Sequence, residues 1–469
     1  MWDYNIPYQS PLGPSLSSTT TTTTSSTPQP GESNNLPTIN LHEPLIFNQS
    51  LGKDERYYDY LRFFEDEITK KGVPAVVNEY VFNEGDPRAD DIFCRMFTDL
   101  LHPLIHLGCA LEYGCQPALV AESLAAACVH GDWPKEVILP AEAYLRHSHS
   151  HSQTPSSSSS SQKTTTPSLP LIQTLNSLRQ SPKISQAVKP TDPFNKIPDG
   201  LLTRATGRDF APHLSRFQVP RSSSLPQIRR KMAEMMRTFT FMVGAAQHPG
   251  KREAMDFVLL HAVTAFSYLP SIVDGVGWIP SREKARLVEA LGRVGAVMYA
   301  GCGCPELFPG RVKGYLPRYH QPGLGGGDGD GDNKDEEWEG LFRRAVVYRD
   351  EGHVAKVVRA LYALERLERD LERDDDDDGE DAEGEEEEKE NGLPISREDI
   401  LKIAHMAVDS AERAFETEGG GHHTMPEAVA EAMTQRVGQG GDMVAKNQMR
   451  WVFYGGLENA WRYVAELES

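Results

Sequence analysis

His102 and His106 stand four residues apart in LLHPLIHLGCALEYG (100–114). That spacing sets two imidazoles about one turn apart on one side of a helix, where their neutral nitrogens can share a metal ion. The alternative is a helix-start pair held as capping or core residues. Pro103 suits the first helical position because its missing N–H is not needed there, so His102 is predicted as the N-cap. A second pair, His353 and Lys356, lies in DEGHVAKVVRALYAL (350–364). At about 100° per residue, Val354, Val357, Leu361 and Leu364 fall on one side with His353, which is therefore inside an apolar stripe. Lys356 falls on the shoulder of that stripe. A lysine there either snorkels to solvent or is buried, loses its charge and serves as base or nucleophile. A neutral amine can also take up carbon dioxide as a carbamate, an anionic oxygen ligand. His261 sits within REAMDFVLLHAVTAFSYL (252–269), apolar nearly all round, where a neutral imidazole needs a hydrogen-bond partner or a metal. His130 ends the apolar segment PALVAESLAAACVH (117–130), where it either complements the helix dipole or acts as a catalytic group.

The elements that carry these residues read as helices. Apolar residues recur at helical spacing in 54–71, 75–82, 91–101, 103–113, 117–130, 169–178, 224–247, 252–269, 281–298 and 338–373. A final ordered block takes in 396–416, 425–437 and 447–468. Strand alternation is scarce and no strand–turn–helix series of the doubly wound kind occurs. The expectation is all-α: a disordered segment 1–44, then a single large multi-helical domain over 45–467. Ser/Thr-, Gly/Asp- and Asp/Glu-rich insertions at 148–168, 323–337 and 373–392 bury too little apolar surface to order themselves.

Those insertions also explain the charge. Of the formal net charge of −20, the two acidic stretches 328–339 and 370–391 carry −19. The remainder is near neutral, so no basic nucleic-acid footprint is present. The six cysteines, with no basic, apolar leader in MWDYNIPYQS, fit reduced thiols in a cytoplasmic protein better than a disulfide framework. No run of 18 apolar residues suggests a membrane span. The oligomeric state is left open.

Several further patterns carry less. Asp328-x-Asp330-x-Asp332 with Glu339 mimics a calcium loop but has Asn333 where the turn glycine belongs. Gly323–Gly331 follows no strand, so it is not a dinucleotide loop. Cys302-Gly-Cys304 reads as a loop, and His405 with Asp409 as a helix-face pair.

Taken together, the segments YYDYLRFFEDEI (57–68), LLHPLIHLGCALEYG, ESLAAACVH (122–130), FVLLHAVTAFSYLP (257–270), HVAKVVRAL (353–361) and RWVFYGGLENAWRYV (450–464) resemble the questin oxidase-like family of mainly fungal proteins. The resemblance implies an oxidoreductase that oxidises, and in some members cleaves, an aromatic polyketide such as an anthraquinone. It implies iron(II) with dioxygen, held by His102, His106, His261, His353 and Lys356, the last as its carbamate. Lys356 and His130 are then the catalytic candidates. The family's other description, NADPH-dependent Baeyer–Villiger oxidation without metal, is the alternative, and a non-catalytic helical scaffold is a third. The family pattern opens with a histidine-rich HNHxxHH helix. Here only His42 precedes His102, so the resemblance implies either a truncated gene model or a site without that contribution.

Overall fold

The computed structural model describes residues 39–150, 167–318, 332–347, 350, 352–378, 393–416, 451–462 and 464–467. Among them every regular element is helical, and the only β pairing is two isolated bridges, Lys251 with Glu466 and Asp256 with Val452. The all-α expectation holds. The helices that build the site are α1 (Tyr57–Lys71), α2 (Pro87–Arg95), α3 (His102–Glu112), α4 (Pro117–Val129), α5 (Leu225–Ala245), α6 (Phe257–Ala265), α7 (Ser281–Gly301), α8 (Asp332–Ala345), α9 (His353–Asp378) and α10 (Arg397–Glu416). One apolar core runs through all of them.

Helix α7 is the centre, buried from Glu283 to Gly301. Two of its glycines let aromatic rings reach its axis, Gly292 under Phe217 and Gly295 under Phe239. A Cβ at Gly295 would stand 2.1 Å from Phe239 Cζ, and that ring is fully buried. Gly295→Ala is therefore expected to cost about 1–3 kcal/mol by overpacking, read as a lower urea midpoint with an unchanged slope. The other helices pack in pairs around this axis. α1 lies on α4, α3 on α4, α5 and α6 on each other and on α7, and α9 against α6, α8 and α10.

Several boundaries differ from expectation for local reasons. The segment 91–101 does not stay helical. α2 ends at Arg95, and Asp99, Leu100 and Leu101 all take left-handed backbone angles (φ 46°, 52° and 69°). His102 is then the first helical residue rather than the cap, with Pro103 behind it. Three successive non-glycine residues at positive φ cost roughly 1–2 kcal/mol each, a strain the surrounding packing must hold in place. Residues 252–256, predicted helical, are extended, because α6 starts only where Asp256 caps it. Two predicted insertions are shorter than expected. Residues 332–337 open α8 and 373–378 continue α9, since runs of acidic residues tolerate a helix well at its start and propagate from a packed one. The insertion at 151–166, the acidic run 379–392, the calcium-loop mimic before Asp332 and the segment 425–437 lie outside the described residues. Residues 451–462 and 464–467, predicted helical, are not. They form a strap of turns across the start of α6.

The stretch Phe257–Gly275 is long and apolar enough to cross a membrane by length and composition, yet 78% of its most apolar window is buried inside the protein. It is a core element here. His405 does not pair with Asp409. His405 Nε2 meets Glu337 Oε1 at 2.9 Å, and Asp409 accepts from Tyr315, Arg344 and the Arg318 amide.

Candidate metal centre

Three helices distant in sequence bring His102 (α3), His261 (α6) and His353 (α9) together. One ring nitrogen of each lies within 4.8 Å of the other two. The ring centroids stand 5.2 Å apart for His102–His261 and for His261–His353. His261 is fully buried and His353 nearly so.

The hydrogen bonds decide which nitrogen faces inward. His261 Nδ1 lies 2.6 Å from the Phe257 carbonyl, and His353 Nδ1 lies 2.6 Å from the Asp350 carbonyl. A carbonyl only accepts, so both Nδ1 atoms carry the proton and both Nε2 atoms carry a lone pair. Those two Nε2 atoms are buried with no hydrogen-bond partner among the described residues. His102 Nδ1 faces Asp99 Oδ2 at 3.3 Å, which orients its ring in the same sense. Orientation of each imidazole by an oxygen on its far nitrogen is how proteins prepare histidine ligands.

His106 stands one ring away, its centroid 6.3 Å from that of His102, with a buried Nδ1 that also lacks a partner. It lies outside the three-atom group. Lys356 is half-buried and close enough that its charge acts on His106, His261 and His353. His130 does not enter the cluster. It is the buried C-cap of α4, and its Nε2 approaches Asp99 Oδ2 at 3.6 Å, so Asp99 lies between His102 and His130. His42 is far from this group in role: half-exposed, it rests on Phe63 and faces Glu67 at 3.8 Å.

The electrostatics keep His106, His261 and His353 neutral. Burial, then the charges of His102 and Lys356, push His106 down to about 3. Burial, then Lys356, bring His353 to about 3. Burial, with His102, His353 and Lys356 behind it, places His261 well below its ordinary range. Burial alone would raise the Asp99 carboxyl, but the His102 hydrogen bond and the charges of His102, His130 and His106 outweigh it and hold Asp99 low. For each buried imidazole the unfolded chain binds a proton below about 6.5 while the folded chain does not until about 3 for His106 and His353. Stability of the metal-free protein must therefore fall as pH drops through that window. Denaturant midpoints taken from pH 7 to 4 should decline, and His106→Leu should make the decline shallower.

Sequence reasoning missed Asp99, Asp350 and Phe257, which orient the three rings. The signal available was the shared Asp-x-x-His spacing of Asp99–His102 and Asp350–His353. In the second, the aspartate orients by its backbone oxygen, while its carboxylate accepts from the amides of Gly352 and Val354.

Fold and site together define an all-helical protein with a buried three-imidazole centre. A family model described as questin oxidase-like matches residues 1–361, and the chain belongs to that family. It is 36% identical over 437 residues to the protein named oxidoreductase AflY of Aspergillus parasiticus, covering 93% of this chain and 77% of that one. It is 32% identical to the questin oxidase of Aspergillus fumigatus over 374 residues, 79% of this chain and 73% of that one. Its identity to the Baeyer-Villiger oxidase ptaJ of Pestalotiopsis fici is also 32%, over 371 residues, 79% of this chain and 72% of the relative.

Proposed function

We propose that this chain is an iron(II)- and dioxygen-dependent oxidoreductase that oxidises, and in part cleaves, an aromatic polyketide of the anthraquinone type. The observation that carries the metal is the convergence of His102, His261 and His353, two of them with buried, unpartnered Nε2 lone pairs. Bonds of about 2.0–2.1 Å allow ligand nitrogens up to roughly 4 Å apart, so the 4.8 Å group needs only a small contraction to close on one ion. All-imidazole donors suit iron, zinc or copper. The relatives' names, questin oxidase and Baeyer-Villiger oxidase, speak for chemistry with oxygen, and of these metals iron is the one we assign. Bound iron would supply activation of dioxygen next to the organic substrate.

The chain's own residues then divide the work. His102, His261 and His353 hold the ion, and His106 offers a further nitrogen beside them. Lys356 completes the charge. A cationic amine beside the three rings repels a dication, whereas its carbamate, formed from the amine and carbon dioxide with loss of one proton, supplies an anionic oxygen. Asp99 fixes His102, and His130 backs Asp99 from the far side. A reducing, cytoplasmic setting for the six thiols is part of this proposal.

The names Baeyer-Villiger oxidase and monooxygenase among the relatives favour a second reading, NADPH-dependent oxidation without metal. Metal analysis separates the two. The iron reading expects about one iron per chain, loss of turnover with a chelator, and restoration of binding by iron(II) with bicarbonate. Lys356→Ala should abolish the bicarbonate effect. Turnover of an anthraquinone that needs NADPH and survives the chelator would sink it.

A further inference from the structure

The strap crosses the start of α6 and handles one peptide from several sides. The Phe257 amide donates to the Val452 carbonyl at 2.7 Å, and the Val452 amide donates to Met255 at 2.9 Å. Between them Asp256, fully buried, spends both carboxylate oxygens. Oδ1 accepts from the amides of Val258 and Leu259 at 2.8 and 3.0 Å, capping α6, and Oδ2 accepts from the Gly455 amide at 2.5 Å. The Cys302 thiol adds a longer contact to Oδ1 at 3.7 Å. Further along, the Gly456 amide reaches the Cys302 carbonyl at 2.9 Å.

Phe257 is the residue so held, and two metal-site imidazoles depend on it. Its carbonyl is the acceptor that sets the His261 tautomer. Its ring centroid stands 4.6 Å from that of His261 and 4.9 Å from that of His353. From the strap side Phe453 stacks on it at 4.7 Å and 24°, and Trp451 approaches both Phe257 and His353 at 6.4 Å. The strap lies beyond residues 1–361, to which the family model is matched.

We infer that the strap 451–456, clamped through Asp256, is a positioning device for His261 and His353. It fixes the Phe257 peptide and ring, and through them the direction of both Nε2 lone pairs. The metal part of this inference rests on the reading of the centre given above. Asp256, Phe257 and Phe453 are positioning residues, since none of them offers an atom to the ion.

The test uses the full-length chain and two substitutions of different character. Asp256→Asn keeps the Oδ1 cap but turns an amide donor toward the Gly455 N–H. Phe453→Leu removes the stack on Phe257 and leaves every hydrogen bond. Cobalt(II) is titrated into each, followed by its visible absorption, and folding is checked by cooperative thermal unfolding. In parallel, 15N-histidine labelling follows the protected Nδ1–H signal of His261, assigned by its loss in His261→Ala. Loss of outer partners of metal ligands weakens affinity about 10–100-fold. That weakening is expected in both variants, with a changed cobalt spectrum and faster exchange of the His261 Nδ1 proton. Cooperatively folded variants with wild-type affinity, spectrum and Nδ1–H protection would overturn the inference. If the wild type takes up no cobalt, the metal reading fails and the strap is judged on the Nδ1–H signal alone. Loss of its protection in both variants upholds the hold on His261, and its persistence refutes it.

Discussion

Replacing His261 with alanine should leave a folded protein that no longer responds to metal. The imidazole lies between two other rings of the centre, and its Nε2 has no partner among the described residues, so in the absence of metal it contributes little through that atom. What the metal-free variant loses is the Nδ1–H bond to Phe257 and some packing, worth about 1–3 kcal/mol. The metal-loaded comparison is where the large effect lies. A ligand set worth about 10–16 kcal/mol over four donors assigns roughly 3 kcal/mol to each, or about a 100-fold loss of affinity. A ligand at 100 times its dissociation constant stabilises the native state by about 2.7 kcal/mol. The same concentration should then give His261→Ala well under half of that. Denaturant melts of both proteins, with and without metal, measure the difference directly. Equal stabilisation of the two would remove His261 from the site.

The second large effect concerns the fold. Arg286 is buried in the second turn of α7, its guanidinium bonded to Glu142 at 2.9 Å and to Asp90 at 2.6 Å, and lying over the Phe93 ring at 4.4 Å. Burial would lower the Arg286 pKa, but the hydrogen bond and charge of Glu142, with those of Asp90, raise it instead. Arg286→Met keeps most of the volume but leaves Glu142 charged and buried. Breaking a buried pair from one side costs about 3–5 kcal/mol, and the urea midpoint should fall accordingly. Adding Glu142→Gln to Arg286→Met should recover a substantial part, because the penalty belongs mainly to the stranded carboxylate. Arg221, which also reaches Glu142, Glu84 and Glu289, keeps the recovery incomplete.

Local physics was enough to read most helices in the sequence. The apolar spacing of Tyr57 to Ile68, Pro226 near the first turn of the segment from Ser224, and the wholly apolar run around His261 each point to a helix, and the structure has it. The placement of His353 inside its stripe was legible for the same reason, a 3.6-residue period acting on a single face. The left-handed turn at Asp99–Leu101 was not legible. Aspartate tolerates positive φ as a single residue, but Leu100 and Leu101 do not favour it, so nothing local predicts three in a row. There Asp99 meets His102 three residues on and, across the fold, His130. The non-helical strap was equally hidden, because its conformation follows from hydrogen bonds to residues some 200 positions earlier.

The same division applies to the site. By itself the sequence determined the candidates: which histidines occupy apolar helix faces, that Lys356 sits beside one of them, and that the folded part is nearly neutral. Those are consequences of residue type and helical period. Only the tertiary structure decided which candidates meet. His102, His261 and His353 converge because α3 and α9 each pack on α6, whereas His106 stands a ring aside and His130 serves Asp99 instead. It also decided which nitrogen of each ring points inward, since that depends on the oxygens of Asp99, Phe257 and Asp350. A period of 3.6 residues sets a side chain's direction about its own helix axis. The distance between two helices depends on everything packed between them.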